Sequence, residues 1–495
     1  MAQTTAQDRA FFGHPRGLST LFFTEMWERF SYYGMRALLL LYMVAPASAG
    51  GLGFTDSDGG AIYGLYTSMV YLATLPGGWI ADRLIGPRRA VLYGGLFIAA
   101  GHFSMALASL STFYLGLFLI VIGTGLLKGN VSVIVGKLYS ADDNRRDAGF
   151  SIFYMGINLG AFWAPIICSY LGEKIEWHLG FAAAGVGMTL GVIQYVLGGS
   201  KLGDAGAQPT PAPPEQRARW RRQAQIAGGV FFALAVIVGG GGYTGMIPIT
   251  ARQIADAAGV LLSVVTVGFF GWLYSSSEWT ADERKRLYAI GVLFLAASLF
   301  WSVFEQAGST LNLFADRNTA TTLLGFGFPT GWFQSMNSFF LWIFAPVMAW
   351  VWVKMSAAGR EPSAPTKFGW GLVFAGLGFA ILIIPASQSG LASPMWLTAT
   401  YFLHTIGELV LSPVGLSAMT LLAPARIGGL MMGIWFLATS IGNFVGGRVA
   451  GLYQSFELPT LFGAVAGFSI AAGILLLIAA PSIRKLMPAQ ISKAA

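Results

Sequence analysis

The sequence predicts an all-α integral membrane protein of fourteen transmembrane helices, grouped six, two and six. Three observations carry that prediction: only 11% of the 495 residues are charged against 55% hydrophobic, apolar runs recur from end to end, and a polar break divides them. An ordinary soluble domain is roughly 25% charged. A surface supplied with 30 Lys and Arg plus 22 Asp and Glu cannot keep a chain of this length solvated, so lipid must cover much of it. Sixty-five glycines and a mean hydropathy of +0.63 fit closely packed membrane helices and exclude disorder and a collagen repeat. The single cysteine, Cys168, permits no internal disulfide and no multi-cysteine metal site. No cofactor is expected.

A span needs about 20 mostly apolar residues. Such stretches lie near 21–45, 60–82, 90–110, 113–137, 149–171 and 179–199, so residues 1–200 read as one six-helix bundle. Residues 201–222 then turn polar, with Pro209, Pro211, Pro213 and Pro214 followed by Glu215, Arg217, Arg219, Arg221 and Arg222. This is the composition of a cytoplasmic linker. Two glycine-rich spans near 223–245 and 254–275 fill 223–280. A second six-helix bundle occupies 281–495, with spans near 287–313, 332–355, 368–386, 395–422, 429–454 and 460–480.

Lys and Arg placement tests the count, because short positive loops stay inside and an even number of spans puts both termini there. Predicted inside loops carry Arg83, Arg88, Arg89, Lys137, Arg145, Arg146, the linker arginines, Arg284, Lys285, Arg286, Lys354, Arg360, Lys367 and Arg426. Opposite loops have little beyond Asp56, Asp58, Lys174, Arg252 and Arg317. The net charge of +8 is thus a topology signal, and its spread over separate loops argues against nucleic-acid binding. Met1–Ser19 carries charges and no apolar core, so no cleavable signal is expected.

Ionisable groups at membrane depth cost several kcal/mol unless paired or facing water, which makes each one a functional candidate. In span 1, Glu25, Glu28, Arg29, Tyr32 and Arg36 follow steps of three or four and share a helix face that must look inward, with Tyr33 beside it. A structural Glu–Arg lock is the plainer reading, yet four charges exceed what a lock needs. Lys128 stands near the middle of span 4 and calls for a carboxylate partner, for which Glu25 and Glu28 are available. Glu305 in span 7 and Glu408 in span 10 are lone carboxylates of the second half. Cations in one half and carboxylates in the other suit a zwitterion about one dipeptide long. His102, His178 and His404 have no metal-ligand spacing and read as structural, and Pro165, Pro346 and Pro413 read as helix kinks.

These residues resemble the proton-dependent oligopeptide transporters of the major facilitator superfamily. Glu25-x-x-Glu28-Arg29-Phe30-x-Tyr32-Tyr33-Gly34 is similar to that family's span 1 motif, and Phe153-Tyr154-x-x-Ile157-Asn158-x-Gly160 to its span 5 signature. Gly77-Gly78-x-x-Ala81-Asp82-Arg83-x-x-Gly86-x-Arg88-Arg89 resembles the general superfamily loop between spans 2 and 3. The resemblance implies a major facilitator fold, with the extra helix pair described for bacterial members, and proton-driven import of di- and tripeptides across the bacterial inner membrane by a monomer. It also implies roles. Arg36 and Lys128 hold the peptide carboxylate; Glu408 holds the amino terminus with Asn158 and Asn337. Tyr32, Tyr33, Tyr71, Tyr154, Trp301 and Trp435 line the pocket, although any one aromatic is equally an ordinary core or interfacial residue in a chain with 14% of them. Glu305 is the proton site, with Glu25, Glu28 and Arg29 a second switch. Where animal members carry a span 2 histidine this chain has Gly64, so the carboxylates are expected to carry the proton.

The expected coupling follows from burial: ionised Glu305 pairs with Arg36, and protonation releases Arg36 for the peptide. Rival readings are a carrier of nitrate, an amino acid or a peptide-like drug, and a non-transporting receptor or scaffold. An inorganic anion has no use for Glu408, and a scaffold has none for inward charge. No paired Asp, Ser–Lys or His–Glu constellation suggests an enzyme.

Overall fold

The computed structural model describes residues 8–140, 143–244, 250–323, 325–424, 427 and 430–487. Arg426, one of the cations assigned to inside loops, lies outside the described residues. Fourteen long helices occur among the described residues, grouped six, two and six. The first six are α1 (Arg16–Val44), α2 (Asp56–Leu72, continued by Thr74–Ile80), α3 (Pro87–Met105), α4 (Leu110–Lys137), α5 (Arg146–Lys174) and α6 (Trp177–Leu197). The extra pair is α7 (Pro214–Tyr243) and α8 (Ala251–Ser275). The remainder are α9 (Ala281–Phe304, continued by Thr310–Asn318), α10 (Ser335–Ala357), α11 (Ala364–Ala386), α12 (Pro394–Leu422), α13 (Met431–Ala450) and α14 (Leu458–Arg484). A small antiparallel hairpin, β1 (Thr322–Leu323) with β2 (Phe326–Gly327), precedes α10.

Ten of these helices are long and apolar enough to cross a membrane on length and composition. The other four, α1, α2, α3 and α13, carry buried charge, a break or a polar and glycine-rich face. Several hydroxyls inside the spans turn back on their own helix. The buried Thr24, Ser298 and Thr405 hydroxyls donate to carbonyls four residues earlier, which satisfies them where water is excluded.

By mutual contact the chain forms two compact units, Met1–Met35 with Met69–Ala257, and Arg36–Ser68 with Ala258–Ala495. The division passes through α1, α2 and α8. In the first unit, Leu18, Leu21, Val91, Ile98, Leu127, Val131, Ile134, Phe153 and Met188 form a buried core shared by five helices. There α3 and α4 approach closely, since a Cβ on Gly94 would stand 2.6 Å from the Gly123 carbonyl oxygen. In the second unit the Phe462 ring lies 5.3 Å from Phe314 and 5.7 Å from Phe379, tying α9, α11 and α14 together.

Two apolar stretches that read as uninterrupted spans are broken in the structure. The first is interrupted at Ala73 and closes with a wide turn over Ala81–Ile85. The second, near 287–313, ends as an α-helix at Phe304 and resumes at Thr310 after a tight turn, Glu305–Gly308. The carbonyls freed by that turn are recaptured: Arg36 donates to the Glu305 carbonyl at 3.3 Å, and the Tyr401 hydroxyl to that of Ala307 at 3.2 Å. Broken backbone at membrane depth persists only with such substitutes.

Candidate functional site

The second unit contains a buried charge constellation. Arg36, on α1, forms a salt bridge to Glu305 with N···O 2.8 Å, and both side chains are about 5% exposed. The Arg36 Nε donates to the Tyr63 hydroxyl on α2 at 2.9 Å. One guanidinium thus engages a carboxylate, a carbonyl and a phenol, a geometry a lysine cannot reproduce. In low dielectric such a pair is marginal as a stabiliser, but removing one partner strands the other, at roughly 3–5 kcal/mol. The charge on either member therefore governs the other.

Glu408, on α12, accepts a hydrogen bond from Asn337 Nδ2 of α10 at 2.9 Å, and the same amide also donates to Thr405 at 3.1 Å. It lies within electrostatic reach of Glu305. Trp301 and Trp435 meet edge to face with ring centroids 6.3 Å apart, joining α9 to α13. Of the residues singled out from sequence, this unit therefore assembles Arg36, Glu305, Asn337 and Glu408 with both tryptophans.

The first unit holds the rest. Arg29 reaches Glu25 at 3.3 Å and forms a shorter contact with Glu28, and all three are buried. Its guanidinium also lies 5.2 Å from the centre of the Tyr32 ring, which meets Tyr33 edge to face at 5.2 Å. The inward face expected of α1 is the buried one. Lys128, on α4, has its ammonium 3.6 Å from the centre of the Tyr71 ring on α2, with Glu25 within electrostatic reach. Asn158 donates to the Tyr154 carbonyl of its own helix at 3.1 Å, while Tyr154 is about half exposed.

Several participants have no signature in the sequence. Tyr63 and Tyr401 read as two aromatics among many. Asp56 and Arg317, seen as stray charges in separate outside loops, form a bidentate pair at 2.6 and 2.8 Å. Arg317 also lies 5.6 Å from the Tyr453 ring, whose hydroxyl donates to Asn318 at 2.6 Å. The histidine-free position of α2 acquires a physical reason. A Cβ on Gly64 would come within 3.0 Å of both the Gly447 Cα and the Phe444 carbonyl oxygen, because α2 and α13 touch backbone to backbone there. No imidazole fits. Among the histidines, His404 bonds the Ala375 carbonyl at 3.0 Å and His178 pairs with Glu176 at 2.7 Å.

The family model described as the POT family matches residues 88–465. The chain belongs to the POT family. Its membership extends end to end: it is 40% identical to the peptide transporter YePEPT of Yersinia enterocolitica, with 98% of this chain and 97% of that one aligned. It is 36% identical to a di-/tripeptide transporter of Lactococcus lactis subsp. cremoris, covering 98% and 99% of the two chains. A crystal structure of a POT peptide transporter in complex with sulfate superposes on this POT chain with a TM-score of 0.92 at 43% identity, over 98% of this chain and 99% of that one. This POT family member is a multi-pass membrane transporter with no relation to enzymes among these matches.

Proposed function

We propose that this POT family member is a proton-coupled symporter that imports di- and tripeptides by alternating access. The observation that carries the reading is the buried Arg36–Glu305 pair, a cation suited to a peptide carboxylate held by a group that a proton neutralises. The peptide-transporting relatives support the substrate class. Glu408, already a hydrogen-bond acceptor of Asn337, supports an ammonium-bearing ligand over nitrate.

In this mechanism Arg36 and Lys128 bind the peptide carboxylate, while Glu408, Asn158 and Asn337 bind the amino terminus. Tyr32, Tyr33, Tyr71, Tyr154, Trp301 and Trp435 receive side chains. A proton on Glu305 removes the charge that holds Arg36, and the freed guanidinium takes the carboxylate. Each proton entering down the potential supplies about 2.3 kcal/mol per 100 mV, roughly a fortyfold peptide ratio. Glu25, Glu28 and Arg29 form the second switch, beside Lys128. The protein works as a monomer in the bacterial inner membrane with both termini cytoplasmic, and needs no cofactor besides protons.

Uptake of labelled dialanine into proteoliposomes, competed by di-, tri- and tetrapeptides with and without a pH gradient, tests the substrate class. Glu305→Gln is expected to abolish gradient-driven accumulation and leave counterflow exchange. Normal accumulation by that variant would remove Glu305 from the coupling step.

A further inference from the structure

The first turns of α7 carry Arg217, Arg219, Arg221 and Arg222, all four exposed. Cations at a helix N-terminus oppose the helix dipole. Among the described residues no ion pair joins any of the four to a carboxylate, and Glu215 is the one acid of the first turn. With 3.6 residues per turn, the four side chains surround the helix on every side but that of Trp220. That side is occupied: the Arg83 guanidinium sits 5.2 Å from the Trp220 ring and 5.3 Å from that of Trp79. Within one further turn α7 becomes apolar, exposing Ile226, Val230, Phe232 and Leu234, while Phe231 stacks on Phe118 of α4 at 5.7 Å. The arginines therefore stand where a membrane-crossing helix leaves the hydrocarbon, at the depth of lipid phosphates.

We propose that this arginine collar is a binding surface for anionic phospholipid headgroups. The argument is charge complementarity: four guanidinium groups without an internal counter-charge, disposed radially about one helix, match phosphates arriving from the surrounding leaflet rather than one ligand on one face. Bound lipid also steadies the connection between α2 and α3, because the Trp220 side of the same helix turn holds Arg83.

The test uses the full-length protein in detergent with equal phosphatidylglycerol and phosphatidylcholine added, and native mass spectrometry of the retained lipid. The expected result is preferential retention of phosphatidylglycerol, falling at least about tenfold in the R217Q/R219Q/R221Q/R222Q variant, with phosphatidylcholine unchanged. The corresponding four Arg→Lys substitutions are expected to keep most of the preference. Inorganic phosphate at millimolar concentration is expected not to displace the lipid; displacement would mean a free-anion site and overturn the proposal. Equal retention of both lipids by the parent protein would overturn it as well, whether or not the variants fold. The readout needs no transport, so its failure leaves the peptide reading untouched, and failed peptide uptake leaves this proposal untouched.

Discussion

A histidine that loses water and gains an arginine neighbour gives up its proton easily, and His14 meets both conditions. It is buried ahead of α1, its Nδ1 is 3.0 Å from the Tyr139 hydroxyl, and Arg145 stands nearby, donating to the Gly13 carbonyl at 3.1 Å. Burial first and Arg145 second push its pKa below the ordinary 6.5, with Asp143 opposing. Neither neighbour titrates near neutrality. Asp143 is held down to about 2 by hydrogen bonds from Arg145, and burial lifts Tyr139 to about 12. The sign follows from linkage: the unfolded segment takes up a proton at higher pH than the docked one, so docking is strongest above pH 6.5 and weakens as pH falls towards the lowered value. The protection factor of residues 8–16 against hydrogen exchange, with the intrinsic pH dependence of amide exchange divided out, is expected to fall as pH drops from about 8 to about 5.5, and His14→Gln is expected to flatten that dependence. A protection factor independent of pH in the parent would remove His14 as the titrating group.

Elements come together here through small residues, which is where the reading from sequence reaches its limit. Along α2 and α13, a Cβ on Gly60 would lie 2.6 Å from the Gly447 carbonyl oxygen and 2.7 Å from the Gly451 nitrogen, so this seam has no room for a methyl group. Gly447→Ala is expected to cost about 1–3 kcal/mol through overpacking, read as a lower thermal midpoint in detergent together with slower dialanine uptake. Unchanged stability and uptake would mean that the helices separate freely. Glycine count alone suggested close packing, but which glycines meet depends on neighbours almost 400 positions away in the chain. Spans were legible because about 20 apolar residues in succession leave lipid as the only solvent. The breaks at Ala73 and at Glu305–Gly308 were not, since hydropathy records composition and not where a carbonyl finds a substitute donor. Arg36 and Glu305 were an expected pair because opposite charges at membrane depth need each other. Lys128 resting on Tyr71 was not, since a ring offers a cation no distinctive residue pattern.

At the scale of the whole molecule, a carrier that alternates must part a closed contact once in every cycle, so the strength of that contact enters the transport rate. The second unit contains a candidate for such a contact. Asp56 opens α2, Arg317 lies in the resumed part of α9, and Tyr453 follows α13, so one bidentate pair and one ring gather three elements beside the glycine seam. Asp56 is buried, whereas the Arg317 side chain is 28% exposed. Solvent screening therefore brings the expected cost of losing either partner below that of a fully buried pair, to about 1–3 kcal/mol. Asp56→Arg and Arg317→Asp are each expected to slow uptake about tenfold, because like charges then face each other across the seal. Combining them restores opposite signs with the positions exchanged, and uptake by the double variant is expected to exceed that of either single one. The cycle is read from initial rates of dialanine uptake at matched protein density in liposomes. A double variant slower than both singles would mean that the two charges act independently and that the closed edge is held by the glycine contacts alone.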